Sequence, residues 1–225
     1  MLESSTSLER ITPGETDEPR IIYFPGFGGS DLAGSRHKFL IELSQAAKCE
    51  VLQVKRTGSD FDLIGNENAA SDLISQLKKI LKTIRHRMFF LTDCFAAGVA
   101  LDLSEEFSDR VQRTIMVSPP IDDFEGCFKR LFEQHPNPKA QAQKDRQWDR
   151  LNRMNNRSGF DLTGKCLDQA DALYLTGDRI IFPPQDLRGN DRLFDSGSFG
   201  HYNWEECPGL LEHIVSIVKN NYPET

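Results

Sequence analysis

Short runs rich in Ile, Val, Leu and Phe alternate along the chain with segments of helical periodicity, and this alternation constrains the fold more than any other feature. Arg20–Phe24 (RIIYF), Glu50–Lys55 (EVLQVK), Met88–Thr92 (MFFLT), Gln112–Ser118 (QRTIMVS) and Asp171–Thr176 (DALYLT) read as strands, and Asp191–Asp195 as a weaker one. Between them, residues 35–47 place Phe39, Leu40 and Leu43 on one helical face. Leu73, Ile74, Leu77, Ile80, Leu81 and Ile84 recur at three- and four-residue steps. A further helix follows the Met88 strand to about residue 107, and residues 205–219 form a closing helix carrying Leu210, Leu211, Ile214, Val215 and Val218. Strands alternating with helices through most of the chain predict an α/β domain, with a mostly parallel sheet flanked by helices. In such sheets ligands sit beyond the carboxyl ends of the strands, so the residues just after each strand carry the functional question.

Composition removes several classes. The 225 residues hold 27 basic and 34 acidic side chains, a net charge of -7, which argues against wholesale nucleic-acid binding. No apolar stretch is long enough for a membrane span, and the polar first twenty residues carry neither a basic start nor an apolar core, so a cytoplasmic location is expected. The cysteines at 49, 94, 127, 166 and 207 are odd in number and form no CxxC pair, which supports neither a disulfide framework nor a structural zinc site. Residues 1–19 read as a flexible segment or an edge element, followed by one domain over 20–225.

Two strand ends stand out. After Arg20–Phe24 comes the glycine-rich Pro25-Gly26-Phe27-Gly28-Gly29-Ser30. After Met88–Thr92 comes Asp93-Cys94-Phe95-Ala96-Ala97-Gly98, with small residues two before Cys94 and two and three after it. A sharp strand-to-helix turn brings backbones together and needs that spacing, and it lifts the central side chain off the sheet at a helix start. Helix dipole and a nearby histidine would favour a thiolate there, so Cys94 is expected to titrate below the ordinary thiol value of about 8.5.

Here the sequence resembles the α/β-hydrolase superfamily, whose nucleophile elbow G-x-S-x-G matches Thr92-x-Cys94-x-Ala96, with both glycines replaced and cysteine in place of serine. A cysteine also serves in dienelactone hydrolases, polyhydroxyalkanoate synthases and some thioesterase domains. The resemblance runs over roughly residues 20–219. It implies a nucleophile–acid–base order of Cys94, Asp178 and His201, with the acid after Leu173–Gly177 and the histidine in SGSFGHYNW (196–204). It implies that the backbone N–H groups of Phe27 and Phe95 hold a developing oxyanion. Asp178 directly follows Gly177, a shortened acid turn, and Asp122 or Asp123 is the alternative acid.

The resemblance also implies a helical lid over about 121–169. Within it, residues 139–157 carry six basic side chains against two acidic ones, and Trp148, Leu151 and Met154 share a face. Trp148 and Arg150 are the tentative substrate contacts, and the basic run suits a coenzyme A arm or an acyl carrier protein, although a solvated helix face reads equally from the pattern. The expected activity is that of an acyl thioesterase or acyltransferase working through an acyl-cysteine, with no cofactor and no metal. A small-ester or lactone hydrolase of dienelactone-hydrolase type is the alternative, as is a non-catalytic binding protein on the same fold.

Overall fold

The computed structural model describes residues 6–12, 19–26, 34–56, 69–121, 124–134, 141, 142, 149, 162 and 164–222. Within them the chain runs β1 (Thr6–Thr12), β2 (Arg20–Phe24), α1 (Ser35–Ala47), β3 (Glu50–Arg56), α2 (Ala69–Leu81), β4 (Met88–Asp93) and α3 (Ala96–Glu106). It continues through β5 (Val111–Val117), α4 (Phe124–Glu133), β6 (Ala170–Leu175), β7 (Arg192–Phe194), a 3-10 turn at Trp204–Glu206 and α5 (Leu210–Asn221). The strands form one seven-stranded sheet in the order β1-β3-β2-β4-β5-β6-β7. All neighbours pair in parallel except β1, which runs antiparallel to β3.

The apolar runs make central strands because both faces of the sheet are covered. Every residue of β4 is buried. Met88 and Phe90 join one core with Leu77 of α2, Val99 of α3 and Phe128 of α4. Phe89 and Leu91 join the opposite core with Leu40 of α1 and Ile214 of α5. Each such side chain contributes about 1.5–3 kcal/mol on leaving water, so the strand that ends at Asp93 is firmly anchored from both sides.

The chain passes from β2 to β3 on one side and then crosses back to β4 on the other. The order therefore reverses between β2 and β4, and in open α/β sheets such a switch point is where ligands bind, beyond the carboxyl ends of the strands. Gly26 and Cys94 lie at those ends of β2 and β4.

The start of the chain takes the edge alternative, and the last helix begins later than expected. Residues 1–19, read as a flexible segment or an edge element, contribute the edge strand β1. It alternates half-buried and exposed side chains, and it is held by Arg10–Glu50 and Lys55–Glu9 ion pairs and by the Thr12 hydroxyl, which donates to Ser44 Oγ at 2.6 Å. The closing helix, expected from residue 205, begins at Leu210. Pro208 lacks an N–H, and Gly209 takes φ +80°, so the chain breaks between the 3-10 turn and α5. Among the described residues no helix is long and apolar enough to cross a membrane.

Candidate active site

Cys94 stands between β4 and α3 with φ +54°, in the left-handed region that residues with a Cβ rarely occupy. Its N–H donates to Val117 O at 3.0 Å, and its carbonyl accepts from Ala97 N at 3.2 Å, so the turn is fixed to β5 on one side and to the helix start on the other. Ser118, at the end of β5, has φ +47°. Strain of this kind costs about 1–3 kcal/mol per residue and persists only where the surroundings impose it.

The small neighbours of Cys94 have a steric reason. A Cβ on Gly26 would lie 3.1 Å from Cys94 Cβ and 3.2 Å from Asp93 O, so the segment leaving β2 closes directly on the elbow. Ala97 is wholly buried and Ala96 nearly so.

Asp178 and His201 meet at the end of β6. Asp178 Oδ2 lies 3.1 Å from His201 Nδ1, and Asp178 Oδ1 accepts the N–H groups of Ile180 at 2.8 Å and Ile181 at 3.0 Å. Burial opposes ionisation of this carboxyl, but the His201 contact and the two N–H groups outweigh it and hold Asp178 below its ordinary value. The short acid turn is possible because Gly177 has no side chain. A Cβ there would meet Phe199 O at 2.2 Å and Gly197 O at 2.7 Å. The histidine segment is fixed by Gly200 N donating to Asn203 Oδ1 at 2.9 Å and by the Tyr202 hydroxyl donating to Leu131 O of α4 at 3.2 Å.

Cys94, Asp178 and Tyr202 are close enough for their charges to act on one another. Burial and then Cys94 and Asp178 push the Tyr202 phenol up, so it stays protonated and keeps its bond to α4. The expectation of a thiol titrating below its ordinary value is corrected by this geometry. Burial first, and the Asp93 carboxylate second, push the Cys94 thiol well above it, while only the Phe95 N–H works in the other direction. Cys94 is therefore a neutral thiol around pH 7.

Exposed Cys166 gives an internal reference for this. A small alkylating agent at pH 7.5 is expected to label Cys166 well before Cys94, because each unit of upward shift cuts the thiolate about tenfold. Peptide mass spectrometry over a pH series measures both rates, and equal labelling of the two below pH 8 would contradict the raised thiol.

Phe95 is the N-cap of α3, and its ring packs edge-on against Phe124 at 5.0 Å. Phe27, Asp122, Asp123, Trp148 and Arg150 lie outside the described residues. A cavity of about 220 Å³ opens beside the ends of β5 and β6, lined by Pro120, Ile121, Cys127, Arg130 and Phe182. Arg130 spans its wall: Nε donates to Ile180 O at 2.7 Å, and the guanidinium lies 4.8 Å over the Phe182 ring.

One residue of the site carries no signal in the reading of motifs. Asp93, just before Cys94, is buried, accepts three hydrogen bonds and pairs with one cation. Oδ1 takes Gly26 N at 2.6 Å and the Tyr23 hydroxyl at 3.1 Å, while Oδ2 takes Trp204 Nε1 at 3.1 Å and lies 3.5 Å from Arg36. The available sign was a lone carboxylate closing an otherwise apolar strand.

No protein-family model matches the chain, and no curated protein does. Solved structures do. An esterase from Pyrococcus furiosus superposes with a TM-score of 0.63 at 14% identity, over 91% of this chain and 82% of that one. The meta-cleavage product hydrolase of Pseudomonas fluorescens gives 0.62 at 11% identity, over 96% and 94%. An α/β hydrolase from a deep-sea metagenome library gives 0.61 at 12% identity, over 100% and 96%. With its mostly parallel sheet, its helices on both faces and a left-handed turn at the end of β4, the chain has the α/β-hydrolase fold.

Proposed function

We propose that this protein is an acyl thioesterase or acyltransferase that works through an acyl-Cys94 intermediate, with His201 as base and Asp178 as its orienting acid. The observation that carries the reading is the 3.1 Å contact of His201 Nδ1 with a buried, ionised Asp178, at the same carboxyl end of the parallel strands as the strained Cys94 turn. A carboxylate on Nδ1 keeps the proton there and leaves Nε2 as the acceptor.

The neutral thiol sets the order of events. As Cys94 Sγ attacks the acyl carbon, its proton passes to His201 Nε2, and the carbonyl electrons move to oxygen. The N–H groups of Phe95 and Phe27 receive that oxyanion. The tetrahedral adduct then collapses, the bond to the leaving thiol or alcohol breaks, and the imidazolium returns the proton to it. An acyl-thioester on Cys94 remains. His201 next deprotonates water or an acceptor amine or alcohol, which attacks the acyl carbon and frees the thiol. Transfer from a thioester donor to Cys94 exchanges one thioester for another at nearly equal energy, and this favours thioester donors over amides. The basic run at 139–157 supports a donor with a phosphate-bearing arm or an acidic carrier.

A second reading, a small-ester or lactone hydrolase, is favoured by the modest cavity beside β5 and β6. Intact-protein mass spectrometry after brief exposure to acyl thioesters and activated esters of graded chain length separates the two. A mass gain of one acyl group, fastest with coenzyme A or carrier thioesters, is the expected result. Adducts from small free esters alone would favour the second reading, and no adduct from any donor would leave the fold as a binding scaffold.

A further inference from the structure

We propose that Asp93 is a positioning residue for this reaction: one buried carboxylate holds the segment that leaves β2 and the segment that carries His201 in fixed relation to Cys94. The proposal rests on the acyl-cysteine reading above. Its geometric basis is convergence. Asp93 is the last residue of β4 and the immediate neighbour of Cys94. Its Oδ1 accepts the N–H of Gly26, the residue before Phe27, whose N–H the mechanism assigns to the oxyanion. Its Oδ2 accepts the indole N–H of Trp204, three residues beyond His201. The three parts that must agree in the transition state are thus tied to a single group.

The surroundings hold that group in place. Tyr23, next to the last residue of β2, donates its hydroxyl to Oδ1. Burial and then the Asp93 charge push this phenol well above its ordinary value, so it donates at every working pH. Arg36, from the first turn of α1, supplies the counter-charge at 3.5 Å from Oδ2 and lies 5.0 Å over the Trp204 ring. Arg36 is itself held by Glu205 at 3.2 Å, so removing the Asp93 charge does not leave a buried guanidinium alone. The titratable groups that act on the Cys94 thiol are Asp93, Asp178 and Cys127, and its charge in turn acts on Tyr202.

Three hydrogen-bond donors and the Arg36 cation meet the two oxygens of Asp93, and asparagine cannot serve them all. Its one oxygen can face Gly26 and Tyr23 or face Trp204 and Arg36, and its amide N–H groups then confront the other donor pair. One of the two segments is released while the strand itself stays packed.

The test uses the full chain and its Asp93→Asn and Trp204→Phe variants, with an acyl thioester donor, single-turnover acylation of Cys94 by mass spectrometry, and thermal unfolding. Asp93→Asn is expected to acylate about 100-fold more slowly at unchanged KM, since small misplacements of reacting groups cost that much. Its Cys94 alkylation profile is expected to move to lower pH, because a charge that opposes the thiolate is gone. A purely structural residue would change activity only in proportion to the unfolded fraction. Trp204→Phe keeps an aromatic ring but not the donor, and it is expected to acylate about tenfold more slowly with KM unchanged. A folded Asp93→Asn acylating within about twofold of wild type overturns the role of Asp93 alone. If Asp93→Asn does not fold, Trp204→Phe decides: retained kcat overturns the proposal, and lost kcat at constant KM supports it. A wild-type chain that forms no adduct overturns the acyl-cysteine reading and this role with it.

Discussion

Cys94→Ala is expected to lose all covalent acyl labelling and to lower kcat on the best donor by about 10⁴-fold or more, the loss that follows removal of the nucleophile in comparable triads. The fold should survive. Alanine keeps the Cβ that packs near Gly26, adds no volume, and adopts φ +54° at no more cost than cysteine does. Unfolding temperatures within a few degrees of wild type would therefore accompany the loss, and this separates chemistry from stability. His201 and Asp178 remain paired in this variant, so any residual rate measures water attack assisted by His201 together with oxyanion stabilisation. Unchanged turnover by Cys94→Ala would remove the acyl-cysteine intermediate altogether and point to direct water attack. The neutral thiol sharpens the comparison. An enzyme with a preformed thiolate is rapidly blocked by alkylation at neutral pH, whereas here substrate turnover should outpace alkylation of Cys94 at pH 7, because burial and Asp93 suppress the free thiolate.

The sheet was legible in the sequence because both of its faces are covered. Strands such as β4 and β6 appear as unbroken apolar runs, and Gly26, Cys94 and Gly177 interrupt the chain where those runs end. The places of Cys94 and Asp178 beyond strand ends were legible too, since β4 and β6 are plain apolar runs, whereas His201 follows β7, whose exposed side chains leave a weak pattern. The edge strand β1 reads as either a strand or a tail, because its side chains are half solvated and the ion pairs that supplement its backbone ladder to β3 leave no apolar periodicity. The closing helix was placed too early because Trp204–Glu206 carries helical periodicity through a 3-10 turn, and the break depends on the conformation of Gly209. The direction of the Cys94 shift could not be read at all. A helix start and a histidine are visible in the sequence, but the burial that outweighs them arises only when Phe95, Phe124 and Phe128 pack over the turn. Asp93 was passed over for a related reason: a carboxylate at a strand end reads as solvated until the indole of Trp204, 111 residues later, is seen to donate to it.

Asp178→Asn is expected to lower kcat by about 10⁴-fold while leaving the architecture intact. The asparagine oxygen can keep the Oδ1 position, where Ile180 and Ile181 donate, and this places the amide N–H₂ against His201 Nδ1. An N–H donor there makes Nδ1 the acceptor and moves the imidazole proton to Nε2. The histidine is then in the wrong tautomer to take the thiol proton, and because the Cys94 thiol is raised, no reserve of thiolate compensates. Stability responds with a definite sign. The carboxyl of Asp178 is held below its ordinary value in the folded chain, so its contribution is present in full above the unfolded value of about 3.9 and is lost as pH falls through the folded value. Asparagine lacks that contribution at every pH. The gap in unfolding temperature between wild type and Asp178→Asn should therefore be widest near neutrality and narrow on acidification below about pH 4. Calorimetry across that range, run beside acylation kinetics, distinguishes a carboxylate that orients the base from one that only packs the turn. An Asp178→Asn chain with near wild-type kcat would transfer the acid's role elsewhere, and the carboxyls of Asp122 and Asp123 would be the next to replace.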